Sequence, residues 1–488
     1  MAYPRFDMAF LAWVALVPLM LALDGLGKGQ AFRAAYLCGI VFFTGTLYWF
    51  VYVTWLGTVL LMLYLSLFFG LFGLAYVFLS RRTAGWKLLL LPAAWVVLEF
   101  IRDRFLTGFG WVSLGHSQFR NLPFIQIADT TGFLGVSFLV MMVNVAARET
   151  AARFLEFQRG ETAARAVLRA CLVTRGPLGA VILVLLGAGL YGFFRLGTPV
   201  GEERVKVAVI QGNIPQEMKW RPLAWPRIME KQKALTAEAA RQQPDLVIWP
   251  ESSFPGFIWE TPQRFEALKT FVKELGTPLL VGAVTRPETD YFNSALLISR
   301  DGTEKARYDK LHLVPFGEYI PLRRFLPFLE QIVPIADFTA GEKPTIFTMK
   351  PKGASYAALI CFEDTAAPVA RRLVREGAQV LVNMTNDAWF QDTKAPFLHL
   401  QAAVFRCVEN RRPLVRAANT GVSAFVDAFG RVEHVLKDGN GRATYVEGYA
   451  AADVAPSRAA TFYTRFGDVF AGLCLACLFA GLKFSKDE

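Results

Sequence analysis

Three side chains of this chain carry the chemistry of nucleophilic attack on a carbonyl. In the stretch YAALICFED (356–364) Cys361 follows an apolar run that has the length of a buried strand. In α/β folds reactive side chains and ligands collect at the C-terminal ends of strands. A thiolate there attacks carbonyl carbon well. A buried cysteine is equally at home as an inert packing residue, and the stretch alone leaves both readings open. Glu251 follows a second such run in DLVIWPES (245–252). Desolvation just past Trp249-Pro250 would raise its pKa towards that of a useful base; a helix cap or a surface acid is the plainer alternative. Lys310 lies in YDKLHLVPFGE (308–318) among apolar and aromatic neighbours. A fixed cation in such a place stabilises an oxyanion on a tetrahedral intermediate, whereas a solvated surface lysine does not.

The elements that must position these groups are legible around them. Short β-branched runs recur at Val205–Ile210, Leu246–Trp249, Leu279–Ala283, Ala295–Ile298, Tyr356–Ile360, Val380–Val382 and Gly421–Val426. Segments with one polar face separate several of them: Pro226–Gln242, Arg264–Leu275 and Ala366–Glu376. That alternation predicts an α/β domain with a largely buried sheet over 203–455.

The flanks are different. Hydrophobic residues make up 54% of the chain, with 42 Phe and 11 Trp against 19% charged residues, a composition that points to a membrane. Apolar stretches at 8–24, 33–55, 57–79, 87–101, 124–147 and 177–196 are each near the length that crosses a bilayer. They make 1–198 a multi-span α-helical membrane domain. A further stretch at 467–483 makes 456–488 a linker, a last span and a tail.

The formal charge of +11 does not indicate nucleic acid, because Lys and Arg sit in short loops rather than in one basic block. The loops carrying Lys28 and Arg33, then Arg81, Arg82 and Lys87, then Arg148 to Arg175, and the tail with Lys483 and Lys486, alternate with less basic ones. By the positive-inside rule they are cytoplasmic, which places 199–466 outside the cytoplasm. The same count leaves residue 1 outside, so either a further span ahead of it is expected or Met1 lies near the outer surface. Glu99, Arg102 and Asp103, at the end of the fourth stretch, are expected as interfacial anchors.

Six cysteines in so long a chain do not form a disulfide framework. Cys474 and Cys477 have CxxC spacing but fall inside the last span. Cys407 lies in a helix-like segment (399–410), and its distance from Cys361 is open. The four histidines show no HExxH and no pairing with cysteine, so no metal site is expected.

WPE, then YDK with PFGE, then CFED, in this order, resemble the nitrilase (carbon-nitrogen hydrolase) superfamily. Its members use a Glu–Lys–Cys triad. NMTNDAWF (383–390) is similar to the segment that closes the site in that superfamily. The spans, together with KLHLVPFGEYIP (310–321), LTGFGW (106–111) and DTTGFLGVSF (129–138), resemble its membrane-bound branch, the apolipoprotein N-acyltransferases, over essentially the whole chain.

The resemblance implies an α-β-β-α sandwich for the extracytoplasmic α/β domain, with Glu251 as proton acceptor, Lys310 stabilising the oxyanion and Cys361 as nucleophile. It implies supporting roles for Glu318 and Glu363, and substrate contacts at Trp220, Trp389, Phe362 and Asn386. It further implies ping-pong acyl transfer from a phospholipid to a diacylglyceryl apolipoprotein at the periplasmic face of the bacterial inner membrane, without a cofactor. Phe362 departs from the pattern, since a tyrosine is expected beside the nucleophile. A membrane-anchored amidase of the same superfamily is the alternative. The apolar run at 321–334, with Arg323 and Arg324, is expected to lie on or dip into the outer leaflet, or else to pack on its own domain.

Overall fold

The computed structural model describes residues 1–4, 6–82, 86–199, 201, 203–320, 337–349 and 352–484. The run at 321–334 lies outside the described residues. The chain divides into two compact units, Met1–Thr198 with Phe466–Glu488, and Pro199–Arg465.

The first unit is helical. Four of its helices, Lys28–Tyr52, Trp55–Ser80, Phe133–Phe157 and Arg175–Leu196, are long and apolar enough to cross a membrane. In hydrocarbon a helix satisfies all its backbone groups internally. The other expected stretches are shorter helices. Residues 8–24 form a 3-10 turn, Ala9–Trp13, and a helix, Val17–Leu23. Asn144 fastens these pieces: its Oδ1 accepts from Leu16 N–H at 2.8 Å and its Nδ2 donates to Ala12 O at 2.9 Å. Lys87–Arg102 contains Pro92.

The fifth stretch starts as two short helices, Leu122–Ile125 and Ala128–Thr131, before Gly132 at φ +66° turns the chain into Phe133–Phe157. Glu99 and Arg102 are buried rather than free anchors. Glu99 accepts from Leu114 N–H at 2.7 Å, and Arg102 donates to Ser113 Oγ at 2.7 Å and Trp111 O at 3.3 Å. They brace the LTGFGW loop, because a buried charge needs such partners.

The second unit contains two six-stranded sheets. In chain order the strands are β1 (Val205–Gln211), β2 (Leu246–Ile248), β3 (Leu279–Thr285), β4 (Phe292–Ile298), β5 (Glu304–Asp309), β6 (Phe347–Met349), β7 (Ala354–Ile360), β8 (Val380–Thr385), β9 (Leu414–Ala418), β10 (Ala424–Val426), β11 (Val432–Val435) and β12 (Gly448–Val454). One sheet runs β12-β1-β2-β3-β4-β5 and the other β11-β10-β9-β8-β7-β6. The sheets meet where β1 packs on β9 and β4 on β7.

Each sheet has a parallel heart, β1-β2-β3 and β7-β8-β9, whose strands are buried on both faces and therefore read as continuous apolar runs. Helices Trp225–Ala240 and Pro262–Leu275 cover the first sheet, burying Met229, Phe265, Leu268 and Val272 against Ile210, Val247, Trp249 and Val281. Each such side chain contributes about 1.5–3 kcal/mol. Helices Ala367–Arg375 and Ala395–Asn410 pack on β7 and β9 of the second sheet. The result is an α-β-β-α sandwich.

Candidate active site

The ends of strands from both sheets supply the site. β7 delivers Cys361, which has φ +52° and opens a 3-10 turn, Cys361–Asp364. A left-handed backbone is uncommon for a residue with a Cβ, so something must hold it. Glu363 does so. Its carboxylate accepts from Ile360 N–H (2.7 Å), Leu311 N–H (2.7 Å), His312 N–H (3.0 Å) and Tyr308 O–H (2.9 Å). One buried acid thereby ties the nucleophile turn to the segment carrying Lys310. Burial pushes its carboxyl up to about 7 against the pull of these donors.

Glu251, just beyond β2, is neither a cap nor a surface acid: it is 8% exposed. Its Oε1 accepts from Asn293 Nδ2 at 2.8 Å and its Oε2 from Asn386 N–H at 2.9 Å. Lys310, after β5, is 1% exposed. Its Nζ lies 2.9 and 2.8 Å from the two oxygens of Glu318 and 3.9 Å from Glu251 Oε1. Glu318 also accepts from Val314 N–H (2.8 Å) and Asn293 Nδ2 (2.9 Å). The Asn293 amide thus bridges the two carboxylates.

The charges act on one another. Burial raises the pKa of Glu251, the nearby Lys310 ammonium lowers it, and the Glu318 charge raises it again. Burial alone would lower that of Lys310, but Glu318 and Glu251 outweigh it, and the ammonium is held above the usual lysine range. Cys361 is partly exposed as a residue. Its thiol is pushed well up, first by desolvation and then by the Glu251 charge, with Lys310 opposing. A neutral thiol beside a buried carboxylate is an arrangement in which the carboxylate, once ionised, can take the thiol proton.

Of the other expected residues, Trp220 and Trp389 are 42% and 50% exposed. Trp220 begins a chain of rings: Phe257 at 5.6 Å, then Trp259 stacked on Phe257 at 4.7 Å, then Tyr291 at 5.6 Å. Phe362 is buried and stacks on His312 at 5.8 Å. Asn386 supplies its N–H to Glu251, while its side chain donates to Gln216 Oε1 at 2.8 Å and accepts from Asn419 Nδ2 at 2.9 Å. Cys361 and Cys407 are both free, and Cys407 is buried. Among the described residues no group of His, Cys, Asp and Glu is arranged to hold a metal ion.

Sequence reasoning missed Asn293, Lys219 and a buried polar layer. Asn293 sits in β4 (FNSALLI), just ahead of the expected run Ala295–Ile298, and no local signal set it apart from Ser294 beside it. Lys219 is buried, and its Nζ donates to Glu251 O at 3.1 Å.

Residues 206–446 match the carbon-nitrogen hydrolase family model, and residues 1–146 the N-terminal domain model of apolipoprotein N-acyltransferase. An apolipoprotein N-acyltransferase of Geobacter metallireducens is 36% identical to the chain, covering 100% of it and 93% of the relative. The chain belongs to the apolipoprotein N-acyltransferase family. The N-acyltransferase of Methylococcus capsulatus is 34% identical over 84% of this chain and 79% of its own length. Among solved structures, an amidase from Nesterenkonia sp. aligns with a TM-score of 0.40 at 19% identity, covering 54% of this chain and 93% of the amidase.

The missed polar layer involves the residues on which the turns at Cys361 and Asp387 rest. Arg416 of β9 donates to Asp364 Oδ2 at 2.6 Å, to Asp387 Oδ2 at 3.2 Å and to Asn383 Oδ1. Asp364 belongs to the nucleophile turn, and Asp387 to the 3-10 turn Asp387–Phe390. Thr385 joins them, donating to Asp387 Oδ1 at 3.2 Å. All these charges are fully buried, so removing one would strand another.

Proposed function

We propose that the chain transfers a fatty acyl group from a phospholipid to the α-amine of a diacylglyceryl-cysteine at the N-terminus of an apolipoprotein, through a thioester on Cys361. The observation that carries this reading is the convergence of Cys361, Glu251 and Lys310 in a chain of the N-acyltransferase family. Glu251 takes the proton of Cys361, and the thiolate attacks the ester carbonyl. Lys310 holds the oxyanion of the tetrahedral intermediate. The intermediate collapses with cleavage of the C–O bond, the leaving lysophospholipid oxygen takes the proton from Glu251, and a thioester remains. The incoming amine then attacks the thioester, loses its proton to Glu251, and the thiolate leaves and is reprotonated.

Glu318 keeps Lys310 in place, and Glu363 keeps the nucleophile turn. The exposed rings of Trp220 and Trp389 offer apolar surface for lipid tails, with Phe362 as packing beneath and Asn386 positioning the base. The basic loops of 1–198 support an inner-membrane location with 203–455 on the periplasmic side, connected through 456–466 to the last helix.

Intact-protein mass spectrometry after incubation with phospholipid alone tests the reading. An acyl adduct, removed by hydroxylamine and absent in Cys361→Ala, is expected. Ammonia release from small amides with no adduct from lipid would replace the transferase by an amidase.

A further inference from the structure

Lys219 is a cation of this site that the mechanism above leaves unused. It ends a short helix, Gln216–Lys219, and its position is fixed by Trp225, whose indole N–H donates to Lys219 O at 2.9 Å. The side chain runs inward, 5% exposed, and the ammonium donates to Glu251 O at 3.1 Å. Among the described residues that carbonyl is its one hydrogen-bond acceptor, so two N–H donors of a buried ammonium are uncommitted. Its bond to the Glu251 backbone carbonyl places the ammonium beside the residue that carries the base.

Buried donors are costly to leave unpaired, and an ester brings two oxygens to this cleft. Lys310 is already engaged by both oxygens of Glu318 and faces Glu251. It serves the carbonyl oxygen in the reading above, which leaves the second ester oxygen without a cation.

We propose that Lys219 is a further catalytic residue, whose ammonium hydrogen-bonds the leaving-group oxygen of the acyl donor while its bond to the Glu251 carbonyl keeps it in register with the base. Negative charge builds on that oxygen as the C–O bond breaks, and a fixed donor there stabilises the transition state more than the ground state. No proton need leave Lys219, since Glu251 supplies the one that the oxygen finally takes. The partners of the ammonium do not fully offset burial, which lowers its pKa to about 8. Its charge is therefore lost in mildly alkaline solution.

The inference rests on the thioester reading, and the experiment separates the two. Thioester formation on Cys361 is followed in the full-length protein with two acyl donors of equal chain length, a phospholipid and a p-nitrophenyl ester. The phospholipid has a poor leaving group that needs help. The p-nitrophenolate ion leaves without it. Lys219→Met is expected to slow the phospholipid reaction about 100-fold and the activated ester by less than about threefold. Its melting temperature is expected to be at or above that of the wild type, because an incompletely compensated buried charge has been removed.

The wild-type phospholipid rate is expected to fall above about pH 8 as the ammonium loses its proton. That limb should be absent in Lys219→Arg, which stays charged. Equal slowing of both esters would reduce Lys219 to a structural role and overturn the proposal. If Lys219→Met does not fold, Lys219→Gln, which keeps an N–H donor without the charge, decides by the same comparison. Absence of any adduct in the wild type from either ester would instead remove the thioester reading itself.

Discussion

In the proposed mechanism Cys361 is neutral at rest, because its thiol is pushed well up, and the ionisation of Glu251 decides when it reacts. Thioester formation should therefore rise with pH through the elevated pKa of Glu251. The Glu318 carboxylate is one cause of that elevation, through like-charge repulsion, and it is also the anchor of Lys310. Glu318→Gln removes both effects. Its acid limb should move to lower pH, because a carboxyl relieved of a neighbouring negative charge ionises sooner. Its plateau rate should fall about 100-fold, because Lys310 is no longer held on the oxyanion. A pH profile of adduct formation measures both, and a limb displaced to higher pH would contradict the assigned coupling.

At the scale of elements, the site depends on close approaches that only glycine permits. A Cβ on Gly282 of β3 would lie 2.3 Å from Pro250 O and 2.8 Å from Glu251 Cα. Gly282→Ala should fold with a lowered melting temperature and lose about 100-fold in thioester formation, since a displacement near 1 Å of a reacting group has that effect. A Cβ on Gly421 would meet Asp387 Oδ2 at 1.9 Å, so Gly421→Ala should disturb the layer under Cys361 in the same way. Glu363 links two elements by accepting only. In Glu363→Gln an amide N–H₂ faces buried N–H donors, and a loss of about 1–3 kcal/mol of stability is expected in chemical denaturation. Retention of full stability would show that the turn at Cys361 is held by other contacts.

At the scale of the molecule, the helical unit and the sandwich unit divide anchoring from chemistry. The proposed orientation rests on the basic loops, among them the turn between helices Phe133–Phe157 and Ala163–Val173. Gly160 in that turn and Asn440 in the sandwich unit are both exposed. In a Cys171→Ser background, which removes an exposed native thiol, Gly160→Cys should be labelled only by reagents that reach the cytoplasm. Asn440→Cys should be labelled by impermeant reagents from the periplasm. Labelling of both from one side would overturn the orientation.

The strands β1 to β4, β7, β8 and β10, and with them the α/β class, were readable because a strand buried on both faces must be a continuous apolar run. The strands β5, β6, β9, β11 and β12 were not read, β6 being only three residues long. β5 and β11 carry exposed polar residues, β9 holds the buried Arg416, and β12 is a half-exposed edge rich in alanine. Cys361 and Glu251 stood out because each follows such a run and carries a reactive group, and Lys310 because it is a cation among apolar and aromatic neighbours. By itself the sequence determined most of the buried strands and the three residues that can do the chemistry, since strand runs and residue types are local properties. Only the tertiary structure decided that Asn293 bridges two carboxylates, that Glu363 joins the cysteine turn to the lysine segment, and that Lys219 reaches Glu251. These pairs are far apart in the chain, and their contact follows from the strand order of the first sheet and, for Glu363, from the stacking of the two sheets, which no local pattern encodes.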